Sequence, residues 1–246
     1  AAVTANGTTI IENAAREPEI EQLCIFLNKM GADISGVGTD KLIIKGVSQL
    51  EPADIEVIPD RVEAGTFLMA GAALGEVTIN KIVPTHLRTV LIKLEETGAK
   101  VRTNQNSITI TRSDKIIPVD MTTAVFPGFP TDLQAQWVAL MMLAEGSSVI
   151  TDTVYHDRFS HVPELNRLGA NIHVENNVAI IRGVKKLVGA PVMSTDIRAS
   201  ASLINGGLMA HGRTEVSRIY HIDRGYERIE EKFRSLGADI MRKTES

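Results

Sequence analysis

The residues in this sequence best suited to chemistry are arginines and aspartates that recur at matching places. Arg16 follows Gly7, His86 and Arg88 follow Gly75, Arg158 follows Gly146, and Arg224 follows Gly212, each on a loop between a predicted strand and a predicted helix. Helix N-termini present free N–H groups and the positive end of the helix dipole, so they favour anions. A guanidinium there adds a planar fork that grips a carboxylate or phosphate through two hydrogen bonds. Several such loops converging would hold a substrate with more than one anionic group. The plainer alternative pairs each arginine with an adjacent acid, Arg158 with Asp157 and Arg224 with Asp223. A second set is Asp60, Asp132 and Asp196, each opening a helix rich in small residues. Pattern alone makes all three helix caps, each worth about 1 kcal/mol. A carboxylate there serves as a general base only if a substrate hydroxyl comes within hydrogen-bond reach.

The elements that must position these residues are repeated. Four segments share one pattern, from Phe26 to Ile34, Leu94 to Val101, Leu165 to Ile172 and Phe233 to Ile240. Their glycines, Gly31, Gly98, Gly169 and Gly237, lie about 70 residues apart, as expected of a repeated supersecondary unit. Each reads as a helix end, a left-handed glycine and then a strand. Between them, Ala5-Asn-Gly7, Ala73-Leu-Gly75, Ala144-Glu-Gly146 and Ala210-His-Gly212 each end a small-residue helix and lead into an alternating, strand-like segment. Asn104–Ser107 and Asn176-Asn177 read as hairpin turns. One unit is therefore strand, helix, three strands, helix. Ala1–Ala5 reads as the last turn of a helix, so the phase of the repeat predicts further residues upstream.

Composition excludes several classes. The charge is −4, and no Lys/Arg run exceeds two residues, which predicts no nucleic-acid surface. The apolar stretches at 67–74 and 137–144 are too short to span a bilayer, so no membrane association is expected. The histidines and the one cysteine lack zinc-ligand spacing, so no metal is expected. A single cysteine suits a reducing cytoplasmic setting, and Cys24, among apolar neighbours, reads as core. Gly36-Val-Gly38 has two of the three glycines of a dinucleotide fingerprint, in the wrong element order, and reads as a turn.

Longer strings carry a resemblance. Phe129-Pro-Thr-Asp-Leu-Gln-Ala-Gln136, Thr195-Asp-Ile-Arg-Ala-Ser-Ala-Ser202 and the segment from His221 to Glu230 resemble the UDP-N-acetylglucosamine enolpyruvyl transferases of peptidoglycan synthesis. Gly7 to Ile20 and Pro59 to Phe67 agree. The resemblance implies an α/β fold, an inside-out α/β barrel of repeated βαβαββ units, with about three and a half to four of six units present. It implies that residues 1–58 are the remnant of one barrel domain and 59–246 nearly all of the second. The implied reaction moves the enolpyruvyl group of phosphoenolpyruvate onto the 3′-hydroxyl of UDP-N-acetylglucosamine with release of phosphate, without a cofactor.

By the same resemblance Asp132 is the aspartate that takes or positions the hydroxyl proton, against its reading as a cap. Arg198 and Arg224 hold phosphoenolpyruvate, and Arg158 is a further cleft arginine. Thr131, Val154 and Tyr155 line the nucleotide-sugar site, and Glu17 and Arg61 are polar residues near it. The family's Lys-Asn pair and the mobile loop with its proton donor have no counterpart, and Cys24 does not match the loop cysteine. The expectation is a C-terminal portion, inactive without its missing N-terminal partner region. Alternatives are a nucleotide-sugar-binding fragment without catalysis, a 3-phosphoshikimate 1-carboxyvinyltransferase-like enzyme, and an RNA 3′-phosphate cyclase relative.

Overall fold

The computed structural model describes residues 1–243, which divide into two compact units. The first comprises Ala1–Pro59 with the short segment Val125–Gly128. It opens on a 3-10 turn, Ala2–Thr4, followed by β1 (Thr8–Glu12), α1 (Pro18–Lys29), β2 (Asp33–Ser35) and β3 (Lys41–Lys45). The strands form an antiparallel sheet in the order β1-β3-β2, with Ile10 opposite Ile43. Its small core joins Val3, Cys24, Ile34, Leu42 and Ile44. Burial pushes the Cys24 thiol up, with help from the nearby Glu21 charge, which fits a core residue. Gly36 and Gly38 both take positive φ in the β2–β3 connection, as a turn requires. Residues 46–60 contain no strand, so this copy of the unit lacks the third strand expected before its second helix.

The second unit is Asp60–Ala124 with the described residues from Phe129 onward. It runs α2 (Arg61–Leu74), β4 (Glu76–Asn80), α3 (Arg88–Glu96), β5 (Lys100–Thr103), β6 (Ser107–Thr111), β7 (Met121–Thr122) and α4 (Gln134–Met141). The order then repeats with one strand more, as β8 (Ser147–Thr151), α5 (Val162–Arg167), β9 (Asn171–Glu175), β10 (Val178–Arg182), β11 (Leu187–Val188), β12 (Pro191–Met193) and α6 (Ile197–Met209). It closes with β13 (Ala210–His211), β14 (Glu215–Ser217) and α7 (Ile229–Ser235). The small-residue helix before Gly212 stops at Met209. Ala210 and His211 pair instead with Leu187 and Val188 as a parallel strand, a correction to the reading of that segment as helix end.

Helices α2 and α4 of this unit, with most of α6, lie inside, while α3, α5 and α7 each bury one face. All eight residues of α4 are buried, and eleven of the fourteen in α2. A helix apolar all round must be enclosed, and small residues let neighbours approach closely. A Cβ added to Gly71 of α2 would stand 2.7 Å from Ile110 Cγ2. The sheets β4-β6-β5 and β7-β8-β10-β9 alternate buried and exposed positions, as sheets wet on one face do. Helices α4 and α6 each connect strands that pair in parallel, β7 with β8 and β12 with β14. One buried polar network joins α2, α4 and α6: the Tyr226 hydroxyl meets Thr66 Oγ1 at 2.8 Å, Gln136 Nε2 donates to the same hydroxyl at 3.0 Å, and Asn205 Nδ2 donates to the Thr66 carbonyl at 3.1 Å.

Repetition extends to details. Asn28 brackets Ile34 with one donated and one accepted bond (2.8 and 2.9 Å), and Asn166 does the same to Ile172 (3.0 and 3.0 Å). Gly31, Gly98, Gly169 and Gly237 all have φ between +89° and +101°, the left-handed stop that their spacing predicts. Among the described residues no helix is long and apolar enough to cross a membrane.

Candidate active site

The three recurring aspartates part company in the structure. Asp60 caps α2, its Oδ1 accepting from the Val62 and Glu63 amides at 2.7 and 3.1 Å. Asp196 caps α6 in the same way, accepting from Arg198 and Ala199 at 2.8 and 2.9 Å. Asp132 caps nothing. An extra 3-10 turn, Thr131–Leu133, precedes α4 and places Asp132 within the turn rather than ahead of it. Its carboxylate instead meets two guanidinium groups: Arg158 Nη1 donates to Oδ1 at 2.6 Å and Arg198 Nη2 donates to Oδ2 at 2.9 Å.

Electrostatics follow from that geometry. Partial burial alone would raise the Asp132 carboxyl, but the charges and hydrogen bonds of Arg198 and Arg158 outweigh it and hold it below the usual carboxylate range. Arg198 is shifted further up, burial being outweighed by the same pairing. The Asp196 carboxyl is also held down, since amide and hydroxyl donors outweigh its burial.

Thr131 sits between these groups and the neighbouring strand. Its hydroxyl donates to Asp152 Oδ2 at 2.7 Å and accepts from Arg158 Nη1 at 3.1 Å. The Arg158 guanidinium lies over the Tyr155 ring, 5.2 Å from its centre. Val154 and Tyr155 are 44% and 56% exposed, so they offer apolar surface beside the charged cluster. From the same loop Ser160 donates to Asp196 Oδ2 at 3.1 Å, tying the loop that carries Arg158 to the helix start that carries Arg198.

The alternative pairing with a neighbouring acid does not form at Arg158 or Arg224 among the described residues. Arg158 pairs with Asp132, not Asp157. Asp223 receives a two-bond fork from Arg242 (3.0 and 2.6 Å), not Arg224. Of the loop arginines, Arg158 is the one hydrogen-bonded to Asp132 among the described residues. Arg224 ends the 3-10 helix Ile219–Arg224, exposed and in no hydrogen bond or ion pair among the described residues. Arg88 is exposed at the start of α3, and His86 lies in the 3-10 turn Pro84–Leu87. Arg61 is buried in the first turn of α2. Arg16 and Glu17 belong to the first unit, where Arg16 donates to the Phe126 carbonyl at 3.3 Å and Glu17 accepts from the Phe126 amide at 3.4 Å. The second arginine on Asp132 comes from a helix start, Arg198, not from a loop. No cluster of three metal-ligating side chains occurs among the described residues.

Sequence reasoning missed Asp152. It is wholly buried and accepts four hydrogen bonds, from the Thr123 and Thr131 hydroxyls and the Val154 and Tyr155 amides. Its only signal is an aspartate flanked by threonines after an alternating strand, a pattern shared by any Asx turn.

A helix-cored α/β repeat thus holds one carboxylate between a loop arginine and a helix-start arginine, guanidinium forks of the kind that grip anions. The chain belongs to the EPSP synthase (3-phosphoshikimate 1-carboxyvinyltransferase) family, whose sequence model matches residues 1–233. Curated relatives include UDP-N-acetylglucosamine 1-carboxyvinyltransferase of Pelodictyon phaeoclathratiforme, 56% identical over 98% of this chain and 57% of its own length. The protein of the same name from Bdellovibrio bacteriovorus is 55% identical over 98% of this chain and 59% of its own length. The chain thus spans a little over half the length of these relatives. Among solved structures, the enolpyruvyl transferase NikO from Streptomyces tendae superposes with a TM-score of 0.87 at 29% identity, covering 97% of this chain and 57% of that one. EPSP synthase from Acinetobacter baumannii shares the fold, with a TM-score of 0.71 at 20% identity over 95% of this chain and 57% of its own. The fold is therefore the enolpyruvyl-transferase α/β architecture, with its sheets separate rather than closed into one barrel in the described residues.

Proposed function

We propose that this chain forms part of an enzyme that transfers the enolpyruvyl group of phosphoenolpyruvate to the 3′-hydroxyl of UDP-N-acetylglucosamine, in the cytoplasm, for peptidoglycan synthesis. The observation that carries this reading is the Asp132 carboxylate with one arginine on each oxygen. In this reading residues 1–58 are part of one barrel domain and 59–246 most of a second.

The chemistry follows from exchange of partners. Phosphoenolpyruvate brings a carboxylate and a phosphate, both of which compete with Asp132 for Arg158 and Arg198, with the exposed Arg224 as a third fork. Losing its cations frees the carboxylate and raises its basicity, so it can take the hydroxyl proton as the sugar oxygen bonds to C2 of phosphoenolpyruvate. C3 gains a proton to give a tetrahedral ketal; its loss again, with the C2–O bond to phosphate breaking, restores the vinyl group and releases phosphate. No residue of this chain is assigned as the C3 proton donor. Thr131, Val154 and Tyr155 line the sugar-nucleotide side, with Arg61 as a further polar residue of the same unit.

The test is phosphate release from phosphoenolpyruvate that depends on UDP-N-acetylglucosamine, assayed on the full product of the gene and on residues 1–246 alone. Activity in the first and none in the second is expected, since the chain spans 57% of its named relative. Sugar-nucleotide binding by calorimetry with no phosphate release from either would favour a binding role without catalysis.

A further inference from the structure

Asp152 lies outside every role assigned above, yet it touches both arms of the Asp132 cluster. It directly follows β8 with a wholly buried carboxylate, and all four of its hydrogen-bond donors are neutral. Through Oδ2 it takes the Thr131 hydroxyl at 2.7 Å, one residue from Asp132. Through Oδ1 it takes the Val154 and Tyr155 amides at 3.0 and 2.9 Å, which opens the loop that carries the Tyr155 ring and Arg158. Its own amide donates to the Asn177 carbonyl at 2.9 Å, and its carbonyl accepts from Asn177 Nδ2 at 3.0 Å, so the hub is fixed to the β9–β10 turn.

The polarity of these bonds is the important point. Because the carboxylate only accepts, the Thr131 hydroxyl must donate to it, which turns its lone pairs toward Arg158 Nη1 at 3.1 Å. The same Nη1 donates to Asp132. We propose that Asp152 is a positioning residue for the transfer reaction: it orients the Thr131 hydroxyl and the 154–158 loop so that Arg158 and Asp132 meet in the geometry the substrate requires. This rests on the reading of Asp132 as the base.

Asp152→Asn tests the polarity directly. An amide keeps the shape, but its NH2 faces the Thr131 oxygen and competes with Arg158 for the same lone pairs. In the full gene product, misplacing the pair should lower kcat about 100-fold, the effect expected of an error near 1 Å in catalytic geometry. The acid limb of the pH–kcat/KM profile, which reports the free enzyme, should also move to higher pH, because a loosened Arg158 no longer holds the Asp132 carboxyl down; a merely structural role leaves that limb in place. Thr131→Val removes the hydroxyl without touching the buried acid and should reproduce both effects, while Thr131→Ser, which keeps the hydroxyl, should show neither. The double variant Asp152→Asn/Thr131→Val should be no slower than the slower single one. Near-parental kcat with an unmoved pH limb in Asp152→Asn, or in Thr131→Val if the first variant does not fold, would overturn the proposal. Asp132→Asn separates the two readings: if it retains activity, the base assignment fails; if it is inactive while Asp152→Asn is normal, only the positioning role fails.

Discussion

Arg198 Nη2 donates to Asp132 Oδ2 at 2.9 Å across 66 residues of sequence, about one repeat. Each residue thus reaches the corresponding helix start of the next unit. Asp60 and Asp196 spend the same position on capping their own helices, while Asp132 spends it on a neighbour. Substitution should separate the two uses. Asp60→Ala and Asp196→Ala should each lower unfolding stability by about 1 kcal/mol, the cost of a lost cap. Asp132→Ala removes no cap; in the full gene product it should lower turnover by orders of magnitude. Urea denaturation beside a phosphate-release assay checks both. Near-normal turnover in Asp132→Ala would end its role as base.

The pH dependence of that pair has a definite sign. The Asp132 carboxyl is held below its ordinary value in the folded protein. Its contribution to stability is therefore complete above about pH 4, near the unfolded value, and is lost as pH falls through the folded one. Asp132→Asn should flatten this part of the acid-unfolding curve. Addition of phosphoenolpyruvate should do the reverse of the arginines and raise the Asp132 pKa, read by carboxyl carbon chemical shifts in labelled protein. A pKa unmoved by the ligand would sink the exchange of partners described for Asp132.

His161 should make a second acid-sensitive step at higher pH. It is wholly buried at the start of α5, with no hydrogen-bond partner on Nε2. Burial drives its pKa down to about 4, reinforced by Arg158 and opposed by Asp196. The folded state therefore holds this ring neutral, and stability falls as pH drops from about 6.5, the unfolded value, toward 4, by up to about 1.4 kcal/mol per pH unit. Stability measured from pH 7 to 4 should show that slope in the parent and lose it in His161→Gln.

Much of the architecture is legible in the sequence because its signals are local. The Gly-Ala helix stops each need one left-handed residue, and the small-residue helices are apolar all round, so glycine spacing and composition place them. Arg158 and Arg198 were recognisable as candidates by type and by resemblance. What the pattern misassigned was partnership. Asp132 looks like Asp60 and Asp196 because all three precede a helix; only the inserted 3-10 turn at Thr131–Leu133 changes its direction. Asp223 looks like the partner of Arg224, but Arg242, 19 residues on, reaches it with a better fork. Asp152 was invisible because burial, not residue type, makes it distinctive. Side-chain partnerships over tens of residues are set by packing, which periodicity does not encode.

The packing that holds β10 over the end of α4 gives the last prediction. Gly183 follows β10 and donates its N–H to the Gly146 carbonyl at 2.8 Å. A Cβ there would stand 1.7 Å from the Ala144 carbonyl oxygen, a backbone atom that cannot swing aside. The first unit repeats the device: Gly46 donates to Gly7 at 2.9 Å, and its Cβ would lie 1.6 Å from the Ala5 oxygen. Gly169 offers the contrast, since its φ of +89° is the difficulty and the space around it is open. Gly169→Ala should cost about 1–2 kcal/mol, the strain of a left-handed residue with a side chain. Gly183→Ala must move a strand, which should exceed the roughly 1–3 kcal/mol usual for overpacking. Displacing β10 also disturbs Val178 opposite Thr151, and with it the Asn177 carbonyl that holds the Asp152 amide. Chemical denaturation of the two variants should rank Gly183→Ala well below Gly169→Ala. The opposite order would mean that the backbone at 144–146 yields more easily than its hydrogen bonds indicate.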